Sequence, residues 1–274
     1  DHKPELVFHA AALKHVPLVE DNPAEGARTN VAGTMNVADA CQQCGVLAMV
    51  LISTDKAINP TSVMGATKRA AEMYCQSLDL QSGDGCRYVT VRFGNVLGST
   101  GSVVPLFQRQ LAKGGPLTVT HPDMTRYFMT IREAVELVLQ ASATGITEKP
   151  KDGRIFVLDM GEPVKIVDLA RQMIRLAGME PDKDIKITFT GIRPGEKMFE
   201  EIFHGGEPTV KTEHQGLLLA TPRVVAHDTL VKAIAPLLDA AIAGDNAGVR
   251  QKLHSIIPEF STQPEAPQKR AQSS

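Results

Sequence analysis

An unbroken apolar run, Met49-Val50-Leu51-Ile52, gives way directly to the polar cluster Ser53-Thr54-Asp55-Lys56. A short β-branched run without polar alternation fits a parallel strand covered on both faces. Parallel strands need long crossovers, usually helical, so this feature points to an α/β architecture with helices packed on a sheet. It also places the polar cluster at the carboxyl end of a strand, where open α/β sheets bind their ligands. A helix is expected to open near Ser62, and on it Met64 and Lys68 stand four residues apart, hence on one face.

Strand and helix patterns alternate on either side of this point. Leu6-Val7-Phe8-His9 reads as a strand running into the small-residue turn Ala10-Ala11-Ala12, and 17–45 is mostly helical. Further strands are expected at 88–92, 117–119, 155–158 and 185–189, with helices at 62–82, 103–112, 132–143 and 165–177. The segments at 132–143, 155–158 and 165–177 are expected to complete a smaller α/β lobe. From Pro258 onward the chain is rich in Pro, Gln, Ser and charge, and it reads as a disordered tail.

Composition removes several function classes. The 274 residues are 43% hydrophobic with a formal net charge of -2, enough for one large or two small domains. That balance gives no electrostatic reason to bind nucleic acid or an anionic membrane surface. Aromatic residues are scarce and Trp is absent, which argues against a base-stacking platform. No apolar run approaches the length of a membrane span. Cys41-Gln-Gln-Cys44 has the spacing of a redox or metal pair, but no second Cys/His pair lies nearby. Reduced helix cysteines and no metal site are the expectation.

Several motif blocks occur in one order along the chain. They are Asn30-Val31-Ala32-Gly33-Thr34-Met35-Asn36, Ser53-Thr54-Asp55-Lys56-Ala57 with Met64-Gly65-Ala66-Thr67-Lys68, Arg92-Phe93-Gly94-Asn95-Val96, and Gly191-Ile192-Arg193-Pro194-Gly195-Glu196-Lys197. Together, over about His9 to Phe203, they resemble the extended short-chain dehydrogenase/reductase superfamily. Within it they resemble the nucleotide-sugar 4,6-dehydratases of capsule and polysaccharide biosynthesis, which act on UDP-N-acetylglucosamine. The superfamily uses a Tyr-x-x-x-Lys pair; here Met64 holds the tyrosine's place. A thioether cannot pass a catalytic proton, so proton handling falls to Thr54, Asp55 and Lys56.

The resemblance implies a Rossmann-like doubly wound parallel sheet with NAD as cofactor. Residues 1–115 would be the carboxyl-terminal part of the NAD-binding domain, 116–257 mainly the UDP-sugar lobe, and 258–274 the tail. No Gly-x-Gly-x-x-Gly occurs in the chain. The opening strand–helix units are therefore expected to precede Asp1, and this chain alone is expected to bind NAD poorly. A cytoplasmic location, an anchor to the inner membrane in that preceding region, and a homo-oligomer are also implied.

Residue by residue, the resemblance sets Lys68 on the nicotinamide ribose, with His9, Ala10, Ala11, Asn30 and Ser53 along the cofactor. Lys14, Met64, Asn95, Arg126, Arg193 and Glu196 fall to the UDP-sugar, with Arg193 on its diphosphate. Thr54 would bind the oxygen at carbon 4, while Asp55 as acid and Lys56 as base, or the reverse, would eliminate water across carbons 5 and 6. Two rival readings are an NAD-dependent UDP-sugar 4-epimerase and a non-catalytic nucleotide-sugar binding module.

Overall fold

A computed structural model describes residues 2–81, 83, 85–147, 153–201 and 209–261. The first half runs β1 (Leu6–His9), α1 (Val16–Asp21), α2 (Pro23–Gly26), a π-helical turn (Ala27–Ala32), α3 (Gly33–Gln43), β2 (Ala48–Ile52), a 3-10 turn (Asp55–Ala57), α4 (Val63–Gln81) and β3 (Arg87–Arg92). Then come β4 (Asn95–Val96), α5 (Val103–Ala112), β5 (Leu117–Val119), β6 (Thr125–Arg126), β7 (Phe128–Met129) and α6 (Ile131–Thr147). The remainder is β8 (Ile155–Leu158), β9 (Val164–Lys165), α7 (Ile166–Leu176), β10 (Ile187–Phe189), β11 (Thr209–Lys211), β12 (Leu217–Ala220), α8 (His227–Ile242) and α9 (Asn246–Ile256).

The main sheet has the order β1-β2-β3-β8-β12-β11. Its first four strands are mutually parallel, and β12 and β11 add antiparallel. The apolar run of β2 is explained by its position between β1 and β3, with Met49 opposite both Val7 and Tyr88. Met49 and Leu51 feed a core shared with α3, α4, α8 and α9, whereas Val50 feeds the opposite core under α6. Each such side chain contributes about 1.5–3 kcal/mol when fully buried. A third core, built on Phe107, Leu117, Val119, Ile166, Ile174 and Ile185, holds the smaller lobe of α5, β5, β10 and α7 together.

Three expectations are corrected. The strand at 155–158 belongs to the main sheet and not to the smaller lobe, because Ile155–Leu158 is buried throughout and Thr90–Arg92 of β3 pairs with Ile155–Val157. α6 goes with it: a Cβ at Gly145 would collide with Val89 and Phe156, so the helix lies directly on β3 and β8. Packing also does not stop at Pro258. Phe260 is 4% exposed and stacks on His254 at 4.1 Å, Glu259 pairs with Arg69 at 3.3 Å, and the Ser261 amide donates to the Pro60 carbonyl at 3.0 Å. The rest of the expected tail, 262–274, lies outside the described residues. Among those that are described, no helix is long and apolar enough to cross a membrane.

Candidate active site

Beyond Ile52 the chain still runs alongside β3, with the Ser53 amide donating to the Val91 carbonyl at 2.8 Å and the Asp55 amide to the Phe93 carbonyl at 3.1 Å. Thr54 then caps the 3-10 turn, its Oγ1 accepting from the Lys56 amide at 3.3 Å. α4 crosses this turn in backbone contact, since a Cβ at Gly65 would overlap the Lys56 carbonyl oxygen. The glycine of the Met-Gly-x-x-Lys motif is thus a packing requirement. Beside it lies a cavity of about 810 Å³, walled by the ends of β1, β2 and β3 on one side and by α5, β5 and the 190–200 segment on the other.

Thr54 and Lys56 line this cavity, and Asp55 lies behind them. Asp55 Oδ1 accepts from Thr54 Oγ1 at 2.9 Å and from Lys56 Nζ at 3.0 Å. Lys56 Nζ also donates to Asn95 Oδ1 at 3.4 Å and stands 3.3 Å from Glu200 Oε1. An ammonium has three donors, and here each has an acceptor. Asp55 Oδ2 and Glu200 Oε2 are buried without a hydrogen-bond partner among the described residues. Burial pushes the Asp55 carboxyl up, against the pull of Lys56, and the Glu200 charge adds to the rise. Burial alone would lower the Lys56 ammonium, but Asp55 and Glu200 outweigh it and the net direction is up. Glu200 is held down: burial opposes this, and the charges of Lys56, Arg126 and Lys197 prevail. These charges favour the ammonium form of Lys56 at rest, and Asp55 reaches a ligand only through its neighbours.

On the cofactor side, Lys68 lines the cavity and donates to the Ile52 carbonyl at 2.7 Å. Burial lowers its ammonium, with Glu72 opposing. Ala10 and Ser53 also line the cavity, while His9, Ala11 and Asn30 do not. His9 is turned to Thr34 Oγ1 at 3.0 Å, and burial, then the Lys68 charge, keep its imidazole below the ordinary range. Asn30 sits in the π-helical turn, where it accepts from the Leu13 amide at 2.8 Å and donates to the Leu13 carbonyl and to Thr67 Oγ1, both at 3.0 Å. It shapes the loop after β1 without lining the cavity.

Of the residues expected on the UDP-sugar, Lys14, Met64, Asn95, Arg126, Arg193 and Glu196 all line the cavity. Arg193 is exposed, and its guanidinium makes no hydrogen bond or ion pair among the described residues; Glu196 Oε2 accepts from the Arg193 amide at 3.4 Å and tightens that turn. Arg126 is committed to the protein: its Nη1 donates to the Thr125 and Met198 carbonyls at 2.7 and 3.3 Å, its Nη2 to the Lys197 carbonyl at 2.8 Å, and its Nε stands 3.6 Å from Glu200 Oε1. It clamps the 197–200 segment while still lining the cavity. Glu200 is the residue that sequence reasoning missed. Nothing in Glu200-Glu201 marks which of two adjacent acids is buried.

The family model described as polysaccharide biosynthesis protein matches residues 1–222. The capsular polysaccharide biosynthesis protein CapD of Staphylococcus aureus is 58% identical over 207 residues, which are 76% of this chain and 33% of that protein. A Campylobacter jejuni protein named UDP-N-acetylglucosamine 4,6-dehydratase (inverting) is 35% identical over 222 residues, 80% of this chain and 62% of its own. A UDP-glucose 4-epimerase of Rickettsia canadensis is 38% identical over 216 residues, 78% of this chain and 60% of its own. The X-ray structure of Pen from Bacillus thuringiensis superposes with a TM-score of 0.70 at 32% identity, covering 84% of this chain and 74% of that one. The chain spans about a third of the length of CapD and of the Bacillus subtilis relative EpsC.

Proposed function

The chain belongs to the polysaccharide biosynthesis protein family, and from that premise we propose that it carries the reaction site of an NAD-dependent nucleotide-sugar 4,6-dehydratase acting on UDP-N-acetylglucosamine. The observation that carries this reading is the hydrogen-bonded Thr54-Asp55-Lys56 cluster at the cavity, with Met64 where a phenol would stand. The cofactor side fits such a group: Ala10 and Ala12 present only methyl side chains, and the Lys68 ammonium opens onto the same cavity, where it suits ribose hydroxyls. When bound, NAD supplies the acceptor of a hydride and later its donor.

The protein's part is proton handling. As hydride leaves carbon 4, the hydroxyl proton there passes to Thr54 and on to Asp55 along the 2.9 Å bond. A buried carboxyl with raised proton affinity is suited to holding it. The new ketone acidifies the carbon 5 proton. In one concerted step the Lys56 ammonium protonates the hydroxyl leaving carbon 6 while the carbon 5 proton passes to the same nitrogen, so the lysine ends charged as it began. When hydride arrives at carbon 6, Lys56 returns the proton to carbon 5 and is recharged by Asp55 across 3.0 Å. One water is lost and no electrons are gained or lost overall. Arg193 offers a free guanidinium to the diphosphate.

A 4-epimerase is the second reading, favoured by the Rickettsia relative. It has no use for a second proton carrier beside Thr54, and Lys56 with its buried partner Asp55 weighs toward elimination. Incubation with NAD and UDP-N-acetylglucosamine should produce a 4-keto-6-deoxy product, identified by NMR. A product retaining its carbon 6 hydroxyl, or an unchanged sugar at an NAD concentration shown to saturate the chain, would refute the assignment.

A further inference from the structure

Glu200 lies far from the Thr-Asp-Lys motif in sequence, yet its side chain is 2% exposed and its Oε1 is 3.3 Å from Lys56 Nζ. The same oxygen is 3.6 Å from Arg126 Nε, and Arg126 also holds the carbonyls of Lys197 and Met198, so the carboxylate is fixed from behind. Its second oxygen is buried without a hydrogen-bond partner among the described residues, an arrangement that costs free energy and calls for a compensating role. Among the described residues, Lys56 in turn has only Asp55, Asn95 and Glu200 as acceptors.

We infer that Glu200 is a positioning residue for the reaction: it holds the Lys56 ammonium at the cavity wall and keeps it charged until the departing hydroxyl displaces the long 3.4 Å Asn95 contact and takes its proton. The catalytic half of this inference rests on the dehydratase reading; the pairing with Lys56 does not. The charged groups that bear on the pair are Asp55 from the same turn, Arg126 from β6 and Lys197 from the segment that carries Glu200. Asp55 takes up the carbon 4 proton in the proposed reaction, so Glu200 is the carboxylate that stays beside Lys56 throughout. Its removal leaves Lys56 in a desolvating site beside Arg126, and both effects favour the neutral amine.

The test is a titration of Lys56 by NMR in the 274-residue chain labelled with ¹⁵N-lysine, assigned through Lys56→Arg. In Glu200→Gln the Lys56 midpoint should fall by about one pH unit or more. Glu200→Asp, which retains the charge, should restore most of the shift and shows that the fold survives change at this position. In turnover of UDP-N-acetylglucosamine with NAD, Glu200→Gln should lower kcat about 10- to 100-fold with little change in KM, and the alkaline limb of the kcat profile should move to lower pH. An unmoved Lys56 midpoint in Glu200→Gln overturns the inference. So does a loss of turnover that is the same at every pH. A shifted midpoint in a protein that is saturated with NAD yet inert toward this sugar would uphold the pairing and remove the dehydratase reading instead.

Discussion

Glu72 is fully buried, and it accepts from Arg92 Nε at 2.8 Å, Arg92 Nη2 at 2.7 Å, Arg69 Nη1 at 3.3 Å and Ser53 Oγ at 2.6 Å. Burial would raise its carboxyl, but the Arg92 and Arg69 charges outweigh that and hold it below the ordinary value of 4.5. A depressed folded value contributes stability that is present above the unfolded value and lost as pH falls through the folded one. Stability is therefore expected to drop on acidification below about 4.5. Glu72→Gln should cost about 3–5 kcal/mol at neutral pH, because Arg92 and Arg69 lose the buried carboxylate they share, and should flatten the acid slope. Urea unfolding across pH checks both, and an acid slope equal to that of the parent would remove Glu72 from this role. At the cavity, Thr54→Val removes the first link of the proton path and should lower turnover by about 10²- to 10⁴-fold. Met64→Leu keeps volume and should change turnover by less than about threefold, since the thioether carries no proton. Thr54, Lys56 and Lys68 were legible because their spacing is itself the signal. Glu72 and Glu200 were not: each is defined by partners on other elements, and a single acid in sequence does not announce its burial.

β2 and α4 form one unit through Gly65, whose missing side chain lets the helix rest on the Lys56 carbonyl. An alanine there cannot be accommodated by a side-chain rotation, because the obstacle is backbone. Gly65→Ala is therefore expected to push α4 from the 3-10 turn, costing about 1–3 kcal/mol and breaking the 3.0 Å contact of Lys56 with Asp55. Thermal melting together with turnover would show it; a variant with full turnover and unchanged melting would mean that the two elements need not touch. The strand β2 and most of α4 were readable because an unbroken apolar run and a helical spacing each have few structural solutions. The short pairings β4 with β7 and β6 with β9 were not, since two-residue bridges leave no periodicity. β8 shows a different limit. Its apolar run announced burial but could not say whether β3 or the smaller lobe would bury it.

The two ends of the described chain meet on the helix that bears Met64 and Lys68. Glu20 Oε1 accepts from the Val63 amide at 2.6 Å at the start of α4, while its Oε2 and its carbonyl each receive Arg250 of α9 at 2.6 Å. Glu20 Oε1 also lies against Gly195, in the turn that presents Arg193. Further along α4, Arg69 is held by Glu259 and by the Arg223 carbonyl. None of this was visible in the sequence analysis, which carried the segment after Phe203 only as part of a lobe. A stretch without a motif gives no sign of which surface it will cover. It has a measurable consequence, because the family match ends at residue 222. A chain cut there would keep every Thr54, Lys56, Lys68 and Arg193 contact with the cavity, yet it would lose Leu230, Ile234, Leu237, Val249 and Leu253, each at most 1% exposed. At about 1.5–3 kcal/mol apiece those side chains rival the whole stability of a typical domain, about 5–15 kcal/mol. Removal of 223–274 should therefore abolish cooperative melting and amide protection along α4, although no cavity residue is touched. Phe260→Ala, a single cavity in the same layer, should cost about 3–5 kcal/mol and leave a cooperative transition. If the chain ending at 222 melts as sharply as the parent, the carboxyl-terminal helices are an accessory and not the support of the site.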